Sequence, residues 1–453
     1  MYTSRIYKLS PVFVQNALVS MRGYAVKILR DSFSGSELAD VERSQWLDAA
    51  SLSSLQLQRL QAIVGHAAAH VPYYRDLFAK VGFAPEQLGA LADMERIPLL
   101  TKQVVFQEAE RLLADNAKGH RFLAATSGTT GTSLKLWRNL YSINRENAFV
   151  ARQCNWAGVK KGDRRVWIRA DKIVPSSVVK PPFWRHNRAE NTLMLSSYHL
   201  SEQHAEAYVR AMEAFDPVYG MAYASPLAFL ARYMLNVGRP YRGRSLRCFI
   251  TSSETLNEEQ RQVITEAFGC RIFDWYGSSE RVSAIGTCEY GNYHLLSDYG
   301  YTELLPQAND FYSLVGTGFD NFLMPLIRYQ LGDAIVLAEP NYRCPCGRSF
   351  SVVQQVTGRI EDYLIKPDGG QIFMAGGIID SLDNVLESQI RQDKLGEVSI
   401  LIVPYADSAI NEPTIRELAK EVLGEGMRIH VQQVDNIPKT QNGKFRAVVR
   451  TVA

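Results

Sequence analysis

A run of small hydroxyl residues, two carboxylates and one lysine are the parts of this chain best suited to chemistry. The run lies in FLAATSGTTGTSLKLW, residues 122–137. Glycine lets backbone N–H groups approach an anion without steric cost, and Ser and Thr hydroxyls add donors, so a loop of both types can cradle phosphate. It is not the common nucleotide loop, which places four residues between its glycines and a Lys directly after the second. Here Gly128 and Gly131 are closer together and Lys135 is displaced. Alone, such a run is as readily a flexible turn. Further along, DWYGSSE (residues 274–280) sets Trp275, Tyr276, Gly277, Ser278, Ser279 and Glu280 at the end of an expected strand. An aromatic there can stack on a base, and Glu280 suits Mg²⁺, which prefers oxygen ligands. IRYQLGD offers Asp333 after a glycine turn, suited to ribose hydroxyls, and TGRIED offers Arg359, suited to phosphate or ribose. IPKTQNGKFR puts Lys444 on a turn. The order and chemistry of these elements suggest ATP divided across a cleft.

A second constellation has metal-ligand character. CEYGNYH supplies Cys288 and His294, and CPCG supplies Cys344 and Cys346. Three thiolates and one imidazole make a closed tetrahedral zinc set. The bland alternative is a group of buried, inert thiols. Cys154, Cys248 and Cys270 sit in apolar or helical surroundings and read as packing residues. Six cysteines without a secretory signal imply a reducing cytoplasm rather than a disulfide framework.

The elements that position these groups follow from periodicity. At 453 residues the chain is long enough for two or three domains, and 46% hydrophobic with 21% charged residues is a globular composition. A net charge of +3 carries no nucleic-acid footprint. No membrane span is expected, because VFVQNALVSMRGYAVKILR is broken by Asn16, Arg22 and Lys27. There Val14, Leu18, Met21, Ala25 and Ile28 recur at helical spacing. The favoured reading is a helix packed on its own domain through that face, with peripheral membrane association as the alternative.

The first hundred residues read mostly helical. Leu55, Leu57, Leu60, Ile63, Val64 and Ala67 mark one apolar face, and Pro72 breaks and restarts the helix. From Arg121 onward strands alternate with helices: RVWIRA, RCFITSS, EEQRQVITEAFG and CRIFDWYG. That alternation implies an α/β layer with a partly parallel sheet. A boundary falls near GRIEDYLIKPDGG, and beyond it EVSILIVPY, TIRELAKEVLGE and MRIHVQQV make a small α+β domain.

TSGTTG, YGSSE, LGD, GR and NGK, in that order from about Arg121 onward, resemble the adenylate-forming superfamily of acyl-CoA synthetases, luciferases and adenylation domains. A narrower likeness covers nearly the whole chain. LQAIVGHAAAHVPYYRDLF, ERIPLLTK, PPFWRHNRAENTLMLSSYHLS and CPCGR resemble the phenylacetate-CoA ligase branch, and within it the CapK-type proteins associated with surface polysaccharide genes.

The resemblance implies an α/β adenylate-forming fold. Residues 1–360 would form a large ATP- and acyl-binding domain, and residues 361–453 a small mobile α+β lid. It implies that Thr126, Ser127, Gly128, Thr129, Thr130 and Gly131 form the phosphate loop, and that Ser252, Ser253 and Glu254 line the adenine pocket. Tyr276 would stack on adenine, Ser279 would sit near the α-phosphate, Glu280 would hold Mg²⁺, and Asp333 would bind ribose. Arg359 stands beside the hinge, Glu361 and Asp362 at the hinge, and Lys444 is the catalytic lysine for the α-phosphate. Three residues separate Gly131 from Lys135, so the loop lysine found in many relatives has no counterpart; Ser279 stands for the usual Thr, and Glu361 for the usual hinge Asp.

The implied activity joins a carboxylic acid to AMP from ATP and then transfers the acyl group to an acceptor. Coenzyme A heads the acceptors, in surface polysaccharide work or otherwise. An amine, a hydroxyl that takes AMP, and a non-catalytic nucleotide-binding role stay open. Tyr219, Tyr223, Ser225 and Trp275 are the candidates for the acyl pocket, whose aromatic lining suits an apolar or aryl acid.

Overall fold

The computed structural model describes residues 2, 4–31, 34–125, 134–307, 310–359, 364–367, 371–372, 385–404, 410–424, 426–439 and 445–452. The expected phosphate-loop residues Thr126 to Gly131, the hinge pair Glu361 and Asp362, and Lys444 lie outside the described residues. The chain divides into two compact units, one of Met1–Lys27, Val159–Phe273 and Gly358–Ala453, the other of Ile28–Gly158 and Asp274–Thr357.

In the first unit the strands Cys248–Ser252, Tyr219–Ala222, Arg165–Arg169 and Thr192–Ser196 run parallel side by side. Trp184–Asn187 pairs antiparallel at the edge. Thr192–Ser196 is buried at every position, as a strand covered on both faces must be. Helices Glu202–Phe215, Ala224–Asn236 and Glu258–Phe268 alternate with the strands, and such crossovers are what parallel pairing requires. Asn257 caps the last of these by accepting a hydrogen bond from the Gln260 N–H, and Gly269 ends it in the left-handed conformation. The α/β expectation holds.

Two helices precede this sheet: α1 (Arg5–Leu9) and α2 (Val12–Asp31). α2 lies against the edge strand through polar side chains. Arg185 Nε donates to Gln15 Oε1 (2.5 Å), the His186 N–H to Asn16 Oδ1 (3.0 Å), and the Arg188 N–H to Ser20 Oγ (3.0 Å). Contact is close enough that a Cβ at Gly23 would meet Asn187 Oδ1 at 2.4 Å. The periodicity expected Met21, Ala25 and Ile28 to pack inward, and all three are exposed. Gln15, Asn16 and Ser20 find their partners only with the helix turned the other way.

The C-terminal part of the same unit is a four-stranded sheet in the order Arg428–Gln433, Glu397–Pro404, Val385–Lys394, Val448–Arg450. Helix Glu412–Leu423 shares one core with it through Ile415, Ala419 and Leu423. This is the small α+β domain the sequence leads one to expect.

The second unit combines helices with an antiparallel sheet. Helix Ala49–His70 is capped by Asp48, and Pro72 opens the next helix at its first turn. Leu60, Ile63, Val64 and Ala67 are buried. Helix Leu140–Trp156 carries Arg152, which is buried and paired to the buried Asp298 at 2.5 and 3.1 Å. Strands Gly300–Pro306, Phe311–Gly318 and Tyr329–Leu337 pair in order. Tyr293–Leu295 pairs with Val352–Arg359 on one side and Ala284–Thr287 on the other, which in turn pairs with the end of Arg271–Gly277.

Candidate active site and candidate metal centre

The end of the Arg271–Gly277 strand gathers the expected nucleotide-binding groups of the second unit. Asp274 is buried; its N–H donates to Thr287 Oγ1 (3.1 Å), and its carboxylate accepts from the Tyr293 hydroxyl (3.0 Å). Those bonds fix the strand from which Trp275 and Tyr276 project. The Tyr276 hydroxyl donates to Asp333 Oδ2 at 2.6 Å. Asp333 is aimed there by a local irregularity. Ser313 faces Ala334 while Val315 faces Gln330, so extra residues bulge from the Tyr329–Leu337 strand. Gly332, at φ 75°, supplies the left-handed turn inside that bulge. The stacking aromatic and the ribose acid expected from sequence are therefore in direct contact.

Glu280 is placed by a residue that sequence reading did not single out: the Tyr329 hydroxyl donates to Glu280 Oε1 at 3.0 Å. Arg138 was missed too. It stands at the end of the Lys135–Arg138 strand, just past the hydroxyl-rich run, and its Nη2 donates to the Ser279 carbonyl oxygen (2.5 Å). Burial, then the nearby Arg281, brings its pKa down to about 10, so it is a cation at neutral pH. Arg281 adopts φ 57°, an uncommon conformation for a residue with a side chain, and Ser278 Oγ is buried with no hydrogen-bond partner among the described residues. Strained backbone, two cations and an unspent hydroxyl beside a carboxylate fit a polyphosphate with its metal ion. The only signal in sequence for Arg138 was its nearness to the glycine run.

In the first unit, Ser252 ends the Cys248–Ser252 strand, and Ser253 follows at φ 69°. Arg169, at the end of the parallel strand two places away in the sheet, donates to Ser253 Oγ at 2.8 Å. Glu254 is fully committed: Oε2 accepts from the Ser225 N–H (2.9 Å) and Oε1 from the Phe445 N–H (2.8 Å), and burial raises its pKa. It thereby joins the start of helix Ala224–Asn236 to the residue after Lys444.

An open cleft of about 390 Å³ lies at the carboxyl ends of these strands, lined by Trp167, Arg169, Asp171, Lys172, Tyr198 and Tyr223 among others. Ligands of open parallel sheets bind outside the carboxyl ends of the strands. The Arg169 guanidinium sits 5.1 Å from the Trp167 ring and 4.9 Å from Tyr223. Of the residues expected to bind the acyl group, Tyr223 lines this cleft. Tyr219 begins the strand that Tyr223 follows, so it lies roughly 13 Å away at the other end. Ser225 is drawn to Glu254.

The second constellation closes up as its residue types suggested. Cys288, His294, Cys344 and Cys346 are all buried, and their ligand atoms lie within 4.8 Å of one another. Cys288 Sγ is 3.6 Å from Cys344 Sγ, and Cys346 Sγ is 3.4 Å from His294 Nε2. A tetrahedral ion with Zn–S of about 2.3 Å and Zn–N of about 2.0–2.1 Å has S···S and S···N edges of about 3.8 and 3.6 Å. The observed pairs lie close to both. His294 Nδ1 faces the Phe350 carbonyl oxygen at 3.4 Å, which leaves Nε2 toward the sulfurs. The Tyr290 N–H and Asn292 Nδ2 donate to the sulfurs of Cys288 and Cys344. Burial lowers the His294 pKa to about 4 and pushes the Cys288 thiol up.

This fold is that of the adenylate-forming enzymes, and in sequence the chain is similar to CapK-type proteins and to phenylacetate-CoA ligases. It is 26% identical to Protein CapK of Staphylococcus aureus over 456 residues, covering 99% of each chain. It is 28% identical to a phenylacetate-coenzyme A ligase of Pseudomonas putida, covering 87% of this chain and 94% of that one. The CapK C-terminal domain family matches residues 364–451. In three dimensions the chain resembles 2-hydroxyisobutyryl-CoA ligase in its postadenylation state, with a TM-score of 0.68, 19% identity, and coverage of 90% and 91%.

Proposed function

We propose that this chain is an ATP-dependent, AMP-forming ligase that activates a carboxylic acid as its acyl-adenylate and passes the acyl group to coenzyme A, in the service of surface polysaccharide synthesis. The observation that carries the reading is the pair of hydroxyl–carboxylate contacts, Tyr276 to Asp333 and Tyr329 to Glu280, beside Arg138.

A carboxylate is a poor electrophile because its leaving group would be oxide. In the first step one carboxylate oxygen bonds to the α-phosphorus of ATP, and the bond to pyrophosphate breaks. In the second, the acceptor thiol loses its proton and attacks the acyl carbon, and AMP leaves. Two anions must meet in the first step, so positioning and electrostatic stabilisation dominate. Lys444 neutralises charge growing on the α-phosphate, Thr126 to Gly131 hold the departing pyrophosphate, and Ser279 lies near the α-phosphate. Trp275, Tyr276 and Gly277, with Ser252 and Ser253, receive the base, and Asp333 and Arg359 hold the ribose side. Glu280 is the ligand for Mg²⁺, which when bound neutralises phosphate charge. Residues 361–453 act as a lid turning about Glu361 and Asp362, so that each half-reaction has its own closed site. Glu254, bonded on both oxygens, holds the segment after Lys444 during adenylation. Cys288, His294, Cys344 and Cys346 hold a structural zinc.

Arg169, framed by two aromatic rings in the first unit's cleft, favours an acid or acceptor with an anionic or hydroxylated part over a bare aryl acid. The test is acid-dependent ATP–pyrophosphate exchange across aryl, fatty, hydroxy and dicarboxylic acids, with wild type beside Lys444→Ala. Exchange with one acid, lost in the variant, supports the reading and names the acid. No exchange with any acid refutes it as stated and points to AMP transfer onto a hydroxyl. Hydroxylamine trapping then isolates the adenylate, and coenzyme A or an amine added next separates thioester from amide formation.

A further inference from the structure

We infer that the outward face of α2, continued by α1, docks on an anionic lipid surface. The inward face of α2 is committed to the edge strand through Gln15, Asn16, Ser20 and Gly23. The other face carries Phe13, Met21, Tyr24 and Ile28, exposed by 74%, 67%, 52% and 66%. With Ala17, which is also exposed, they fall at intervals of three or four residues, so they form one stripe along the helix. α1 adds Ile6 and Leu9, exposed by 78% and 76%. A soluble surface rarely presents so many large apolar side chains in one short segment without a partner.

Charge identifies the partner. Through the end of α2 the chain carries Arg5, Lys8, Arg22, Lys27 and Arg30 against the single acid Asp31, although the whole chain is only +3, and of these cations Lys27 donates to the Ala189 carbonyl oxygen at 3.4 Å. Arg5 and Lys8 are exposed and form no ion pair among the described residues. Arg22 lies over the Tyr2 ring at 5.1 Å. An apolar stripe in a segment with five cations and one acid matches a bilayer surface bearing anionic headgroups. Pairing with a second copy through the same face would set these cations against one another. Among the described residues no helix is long and apolar enough to cross a membrane, so α2 lies in the interface. Its bonds to the edge strand keep it flat against its own unit while the stripe enters the headgroup layer.

The experiment is flotation of the full chain with vesicles of equal phosphatidylglycerol and phosphatidylcholine, beside vesicles of phosphatidylcholine alone. Each cation near an anionic surface strengthens partition about fivefold, so mixed vesicles should bind the chain at least about tenfold more tightly, and raised salt should weaken that binding. Phe13→Glu with Met21→Glu should reduce binding by about 100-fold or more. Its melting temperature should stay at the wild-type value, because both side chains are exposed. Absence from the anionic vesicles, or equal binding by the double variant, would overturn the inference. So would a concentration-dependent dimer in ultracentrifugation that the same variant dissolves while vesicles stay unbound. ATP–pyrophosphate exchange in the absence of lipid is independent of the outcome.

Discussion

Replacing Cys344 with Ser removes one sulfur from the buried Cys/His cluster and nearly nothing else, so it isolates what a bound metal contributes. Cys288 and Cys344 are separated by 56 positions, and their sulfurs stand 3.6 Å apart. An ion shared between them would close that loop as a covalent link would. Treated with the chain-entropy expression for a cross-link, a loop of this length corresponds to about 4 kcal/mol. In a unit of about 200 residues each kcal/mol moves the midpoint by about 2–4 °C, so the variant should melt roughly 8–16 °C lower. The assay pairs metal content by mass spectrometry with thermal melts followed by circular dichroism. Wild type should carry one zinc per chain, and a strong chelator should lower its midpoint by the same amount. Cys344→Ser should carry none, and the chelator should leave it unmoved. A wild-type protein purified without stoichiometric metal, whose melt ignores the chelator, would refute the reasoning and return the cluster to ordinary buried thiols.

Other consequences follow from particular contacts. Glu280→Gln should lower exchange by about 10²–10³, whereas Tyr329→Phe, which deletes a single hydrogen bond to Glu280, should raise the KM for Mg·ATP only about fivefold. An equal loss in both variants would mean that Tyr329 touches the nucleotide itself. Asp333→Asn should erase the preference for ATP over 2′-deoxy-ATP, and an undiminished preference would remove Asp333 from the ribose. Arg152→Met leaves the buried Asp298 carboxylate without its cation and should cost about 3–5 kcal/mol in urea denaturation. Adding Asp298→Leu should recover most of that loss, and failure to do so would place the cost in packing.

The gathering of Trp275 through Glu280 at the end of the Arg271–Gly277 strand was legible from residue order, because these residues are contiguous and a strand end presents neighbours together. The strand–helix alternation from Arg165 to Gly277 was legible for the same local reason: hydrophobic period, an Asn257 cap and a Gly269 stop are all short-range signals. The four metal-binding candidates could be named from residue types alone. Their convergence depends on strand Tyr293–Leu295 pairing with Val352–Arg359, and spacing along the chain does not set that pairing.

What tertiary structure alone decided are the contacts made across long separations. Tyr276 meets Asp333 over 57 positions and Tyr329 meets Glu280 over 49. Both depend on sheet register, and the first also on a bulge at Gly332 whose extra residues no periodic pattern announces. Arg138 gains its place only when its strand end reaches the Ser279 carbonyl. The rotation of α2 was the clearest departure. Apolar spacing favoured one face, but hydrogen bonds that Gln15, Asn16 and Ser20 accept from residues 185–188 at a distant strand edge chose another and turned Met21 and Ile28 outward. Periodicity shows that a helix has an apolar stripe; whether that stripe meets the protein's own core is decided by whatever partner the rest of the fold sets beside it.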